Sequence, residues 1–188
     1  LQRVDACVEA RPDVVTVLVG TNDANASLDA AYARRAMKTM NLPQRPSAEW
    51  FSQNLMELVC RLQSGTRARI GLLSIPPIGE DLDHPSVKRA GEYSEIIRET
   101  ARQTGTGYLP VYETMIDRLK KRPGRPRKRY EQWRYVVYKG LFQRKILRMS
   151  LDDISRANGF QLLTDFIHLN TQGAALVADR IRVFLERP

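Results

Sequence analysis

Apolar residues fall at two spacings along the chain, and the alternation between them predicts the architecture. Leu1, Val4, Cys7 and Val8 share one helical face, which Arg11-Pro12 ends. Residues 14–19 form a continuous β-branched and apolar run, the pattern of a parallel strand covered on both faces, and Gly20 closes it. A polar loop and a short helix over 28–40 follow, then the breakers Pro43 and Pro46. Ser47 is placed to cap a helix that buries Phe51, Leu55, Leu58, Val59 and Leu62 and stops at Gly65. A second buried strand spans 69–74, a helix runs over 86–103, and a shorter third strand covers 108–112. A long helical pattern over 130–149 carries Trp133, Val136, Val137, Phe142 and Ile146. Ser150 with Asp153 three residues on resembles a capping box for one more helical piece ended by Gly159. The last helix starts near Thr171 and buries Val177, Ile181, Phe184 and Leu185. Strands alternating with helices in this way predict an α/β sandwich around a parallel sheet, and no internal repeat is evident.

Charge changes this picture at one place. The net charge is +9, yet eight cations and no acid fall between Arg118 and Arg129, and without them the remainder stands at +1. The body is near neutral and carries one basic segment. Apolar content of 43% and charged content of 27% fit a globular chain of 188 residues, long enough to bury a core. No apolar run is long enough to span a bilayer and no signal peptide is visible, which leaves the compartment undetermined because the chain starts at Leu1 rather than Met. Cys7 and Cys60 lack metal-ligand spacing and read as free core thiols.

Two short motifs carry the candidate chemistry. In an open parallel sheet, active sites form at the carboxyl ends of the strands. Gly20-Thr21-Asn22-Asp23 follows the first strand directly, so the Asn22 amide can serve as an oxyanion donor, although Gly, Asn and Asp are also common turn residues. Asp165 and His168 are spaced so that the carboxylate can reach Nδ1, fix the tautomer and support the imidazolium formed when Nε2 takes a proton. The structural alternative for this pair is an N-cap carboxylate and a half-buried histidine ahead of the last helix. His84, the other histidine, precedes Pro85 in a polar stretch and reads as a surface-loop residue.

Residues 14–23 followed by Asp165-Phe166-Ile167-His168, with the run 71–80 between them, resemble the SGNH/GDSL hydrolase family of serine esterases and lipases. The resemblance covers about residues 1–115 and 160–188. It implies a three-layer α/β/α sandwich with a parallel sheet, flavodoxin-like in class, as a single domain over 1–188 with an insertion at 117–149. It also implies roles: Asn22 as oxyanion donor, Asp165 as orienting acid, His168 as general base, and Gly20, Thr21 and Asp23 as residues shaping the loop. No metal or organic cofactor is implied. The chain lacks the family's Gly-Asp-Ser block and the glycine of its second block; none of the nine serines follows Gly-Asp. Ser74 alone ends a strand pattern, but Ile75-Pro76-Pro77 behind it removes the backbone donors a nucleophile would need. The expectation is a chain that starts after the family's first two strands, takes its nucleophile from an upstream segment, is inactive alone, and exposes an apolar sheet edge that makes it poorly soluble or molten.

The basic segment adds further readings. Residues 123–129, Pro-Gly-Arg-Pro-Arg-Lys-Arg, resemble an AT-hook, a segment that lies in the DNA minor groove. A solvated linker is the favoured alternative. The helix behind it is basic and amphipathic, and can form a lid or a face for anionic interfaces through 118–149. Three functions follow in order: an esterase acting on a small-molecule or lipid ester, a non-catalytic binding module of the same fold, and a nucleic-acid-associated protein.

Overall fold

The computed structural model describes residues 3–121 and 126–186. The chain divides into two compact units. One takes in Leu1–Ile75, Glu92–Pro110 and Ile181–Pro188; the other takes in Pro76–Gly91 and Val111–Arg180.

The first unit holds the sheet. Strands β1 (Val14–Val17), β2 (Arg69–Leu73) and β3 (Gly107–Leu109) are parallel in the order β1-β2-β3, with Val15 opposite Ile70 and Gly71 opposite Gly107. The α/β class and the parallel sheet are as the pattern predicts. Leu18 and Val19, expected to extend β1, lie beyond its end and are exposed. Among the described residues β1 pairs on one side only, with β2. Gly71 and Gly107 stand side by side and leave room for the Phe184 ring, which a Cβ at either position would strike. Arg69 covers that ring with its guanidinium 4.6 Å from the centroid and donates to the Leu185 carbonyl at 3.0 Å.

Helices α1 (Val4–Glu9) and α4 (Ala48–Gly65) pack together, and Ser47 caps α4 by accepting from the Trp50 N–H at 3.2 Å. Helix α4 buries Phe51, Leu55, Val59 and Leu62, while Leu58 is half-buried. Residues 21–40 depart from expectation. The predicted loop is a helix, α2 (Thr21–Leu28), and a separate helix α3 (Ala30–Met40) follows. Asp29 ends the first and caps the second, accepting from the Ala31 and Tyr32 N–H groups. The free cysteines are not core residues: Cys60 is exposed and Cys7 half-buried.

Helix α5 (Pro85–Thr104) contributes residues to both units, as does α9 (Thr171–Glu186). The strand expected over 108–112 stops at Leu109, and α6 (Val111–Lys121) begins two residues on, burying Val111, Met115 and Leu119. Three of the cations assigned to a basic segment, Arg118, Lys120 and Lys121, therefore sit on the last turn of a helix, where they complement its dipole. The AT-hook resemblance falls partly on 122–125, outside the described residues. A 3-10 turn (Tyr130–Gln132) leads into α7 (Trp133–Lys145), shorter than the predicted helix, with Phe142 and Ile146 exposed rather than packed. Helix α8 (Leu151–Asn158) is capped by Ser150 and ended by Gly159 as expected. In α9 Val177, Ile181 and Phe184 are half-buried and Leu185 is exposed, so its apolar face is less covered than its spacing predicts.

Candidate active site

Asp165 and His168 are brought together in the second unit. The Asp165 side chain is buried and the His168 ring is 67% exposed, with Nδ1 2.9 Å from Oδ2. The carboxylate uses both oxygens: Oδ1 accepts from the Ile167 and His168 N–H groups at 2.8 and 2.9 Å, and Oδ2 takes the ring. Nδ1 is thereby the protonated nitrogen, which leaves Nε2 as the basic one. The N-cap alternative does not hold, because Asn170 caps α9, its Oδ1 accepting from the Gly173 N–H at 2.9 Å.

Electrostatics follow from this geometry. The hydrogen bond that Nδ1–H donates to Asp165 raises the His168 pKa above 6.5, against burial, which lowers it. Burial pushes the Asp165 pKa up, but its bonds to the imidazole and to two backbone N–H groups outweigh this and hold it below 3.8.

The loop carrying the pair is held from several sides, and the residues that hold it escape a local reading of the sequence. Glu80, 3% exposed, accepts from the N–H groups of Gln161, Leu162 and Leu163 at 2.8, 2.7 and 2.9 Å. Burial raises its pKa, and the three N–H groups pull it back without cancelling the shift. The buried Ser155 hydroxyl donates to the Leu163 carbonyl at 2.6 Å and accepts from Asn170 Nδ2 at 2.8 Å. Asn158 donates to the Thr164 carbonyl, and the Thr164 N–H donates to the His168 carbonyl at 2.7 Å, closing the turn on itself. Gly173 allows α9 to start against the loop; a Cβ there would collide with the Leu162 carbonyl oxygen. Phe166, between the acid and the base, lies edge-on to Phe160 and Tyr130 at 5.1 and 5.7 Å, and its carbonyl accepts from the Gly79 N–H.

Asn22, with Gly20, Thr21 and Asp23, belongs to the first unit. Gly20 has φ 113°, a conformation that only glycine adopts easily, and a Cβ there would press on the Phe51 ring. The chain can therefore turn from β1 straight into α2, which places Asn22 exposed in the first helical turn rather than in a loop. The Tyr32 hydroxyl donates to Asn22 Oδ1 at 3.1 Å. That contact occupies the acceptor end of the amide and leaves its N–H end as the one that can donate. Asp23 is half-buried, and burial raises its pKa. The Asp23 carbonyl lies 3.5 Å from the hydroxyl of the buried Tyr93.

Ser74 is fully buried, with its hydroxyl directed at the Leu109 carbonyl. His84, read as a surface-loop residue, is half-buried and ends the loop ahead of the next helix. It caps α5, with Nδ1 accepting from the Ser86 N–H at 3.1 Å, and Pro85 takes the first helical position, where a missing N–H is harmless. Among the described residues no group of three or more His, Cys, Asp or Glu side chains converges to hold a metal, and no helix is long and apolar enough to cross a membrane.

A small parallel sheet among many helices, with a carboxylate–imidazole pair on a late loop, gives the chain the α/β fold of the SGNH-type hydrolases. It belongs to the GDSL-like lipase/acylhydrolase family, whose model matches residues 1–176. Solved structures similar in fold include Axe2, an acetylxylan esterase from Geobacillus stearothermophilus, at 13% identity and TM-score 0.64, covering 100% of this chain and 66% of that one. The acetyl xylan esterase AlAXEase is similar at 19% identity and TM-score 0.64, covering 98% and 73%. LAE5, an alpha/beta hydrolase from the metagenome of Lake Arreo, Spain, is similar at 18% identity and TM-score 0.60, covering 97% and 64%. The chain thus spans about two thirds of the length of these enzymes. No curated protein matches its sequence significantly.

Proposed function

We propose that this chain carries the acid–base and oxyanion residues of a serine ester hydrolase that cleaves carboxylic esters through an acyl-enzyme. The observation that carries the reading is the pair at 165 and 168: a buried carboxylate bonded to Nδ1 of an exposed imidazole. In this mechanism His168 Nε2 takes the proton from a serine hydroxyl as the oxygen attacks the ester carbonyl. It then returns the proton to the departing alcohol, and repeats both transfers with water to release the acid. Asp165 stays ionised throughout, holding the ring and stabilising the imidazolium. Asn22 donates from Nδ2 to the carbonyl oxygen as it gains negative charge, and Tyr32 keeps the amide turned for that task.

The nucleophile comes from sequence outside residues 1–188. Two observations support this: no serine here follows Gly-Asp, and the one serine ending a strand is buried. The chain by itself is then inactive. The family supports an acyl ester as substrate, and acetylated sugars are the first esters to try, since two of the similar folds are named as acetylxylan esterases.

The test is hydrolysis of acetyl esters by the protein extended at its N-terminus. Activity should rise with pH through a single ionisation above 6.5, the raised pKa of the base. Absence of esterase activity in an extended, folded protein would contradict the reading.

A further inference from the structure

The second unit holds a cavity of about 440 Å³ between the segment 79–86, the segment 128–130 and Phe166. That is the size of a small-molecule site. One wall is a chain of rings fixed in place. His84 is held through both ring nitrogens: Nδ1 accepts from the Ser86 N–H at 3.1 Å, and Nε2 lies 3.5 Å from Glu131 Oε1. The imidazole meets the Tyr130 ring at 5.1 Å, and Tyr130 and Phe166 meet edge-on at 5.7 Å. Charges of both signs line the same space, Asp81 and Asp83 from the first segment and Lys128 and Arg129 from the second. Glu80 lines it too, but its oxygens are committed to the N–H groups of Gln161, Leu162 and Leu163.

We infer that this cavity holds a neutral sugar and, resting here on the hydrolase reading, seats it as the alcohol half of the ester. Charge decides among ligands. An anion would face Asp81 and Asp83, and a cation would face Lys128 and Arg129. An acyl chain would take water from all four without replacing its hydrogen bonds. The rings are tilted at 45° and 89° to one another, which leaves no parallel slot for a planar base. A sugar meets every demand: its hydroxyls donate to the carboxylates and accept from the ammonium and guanidinium, while its C–H face lies on the aromatic wall. Phe166 ties the cavity to the chemistry, since it stands two positions from the base that returns a proton to the departing alcohol.

Titration of the N-terminally extended protein with xylobiose, followed by histidine-selective NMR, tests it. The His84 ring signal, assigned by its loss in His84→Gln, should shift to saturation. Asp83→Ala should weaken binding about tenfold, the worth of one hydrogen bond to a charged group, and Lys128→Ala by a similar factor. The Asp83 variant should keep its thermal midpoint, because that residue is exposed. Raising salt should change the affinity less than about twofold, as the ligand carries no charge. Xylobiose should also inhibit hydrolysis of phenyl acetate competitively, with an inhibition constant equal to the dissociation constant read by NMR. An unmoved His84 signal, full binding by Asp83→Ala, or tighter binding of phosphate, octanoate or adenosine would overturn the sugar site. Non-competitive inhibition would overturn the seat for the alcohol. A shifted His84 signal in a folded protein without esterase activity would remove the hydrolase reading and leave the sugar site standing.

Discussion

The loop bearing Asp165 and His168 and the corner bearing Asn22 are held in place by very different amounts of structure. Glu80, Ser155, Asn158 and Asn170, all buried, bond the backbone of the loop from outside it, and the turn closes with its own hydrogen bond. At the corner, the Tyr32 hydroxyl orients the Asn22 amide, Gly20 permits the turn, and the Tyr93 hydroxyl meets the Asp23 carbonyl. The tasks proposed for them explain the contrast. A general base must present one nitrogen of one tautomer to a proton in flight, so small displacements cost rate steeply. An amide donor on the first turn of a helix inherits its position from the helix and needs only its flip decided. On the proposed roles, the group that moves a proton is the one whose loop is tied down by buried side chains from outside it.

The largest expected effect breaks the tight half. In the extended protein, His168→Ala should lower kcat by on the order of 10⁴ or more, and Asp165→Asn by about 10³–10⁴, measured on an acetyl ester at saturating substrate. Asp165→Asn should also lower the pKa of His168, because the bond that raises it is lost and burial, which lowers it, remains. NMR titration of the ring checks this. Linkage gives the sign for stability. The raised His168 pKa contributes stability below 6.5 that is lost as pH rises through the raised value. The lowered Asp165 pKa contributes stability above 3.8 that is lost as pH falls through the lowered value. Next in size, Asn22→Ala should cost about 10²–10³ in kcat with little change in thermal midpoint, since the side chain is exposed.

Glu80→Gln separates support from chemistry. Its amide nitrogen cannot accept, so at least one loop N–H loses its partner, with a destabilisation of about 1–3 kcal/mol read from denaturant unfolding. The smallest effect belongs to the loosely held half: Tyr32→Phe should reduce kcat only a few-fold, by freeing the Asn22 amide to rotate. A larger loss from Tyr32→Phe than from Asn22→Ala would reverse the assignment of which residue acts and which positions.

The sequence exposes what is local and periodic. Strands β1 and β2 are marked by unbroken apolar runs, and Ser47, Ser150 and Gly159 announce the helix ends they make. Helix α2 escapes notice because its buried residues are Ala24, Asn25 and Ala26, which give no amphipathic contrast. Helix α6 is masked by Tyr108–Tyr112, whose apolar character runs on past Pro110 into the new helix. At the site, the pair at 165 and 168 is legible because its partners are three residues apart. Glu80 meets its partners across 81 to 83 positions, and the Tyr32–Asn22 contact needs a helix pair the pattern did not reveal. An acid that is buried against backbone N–H groups looks, in sequence, like any other Glu after Gly.

The most direct test is to label the N-terminally extended protein with a fluorophosphonate and map the adduct by mass spectrometry. A single adduct on a serine preceding Leu1, formed at a rate that His168→Ala abolishes, is the predicted result. An adduct on any of the nine serines of residues 1–188, or labelling that proceeds unchanged without His168, would contradict the account.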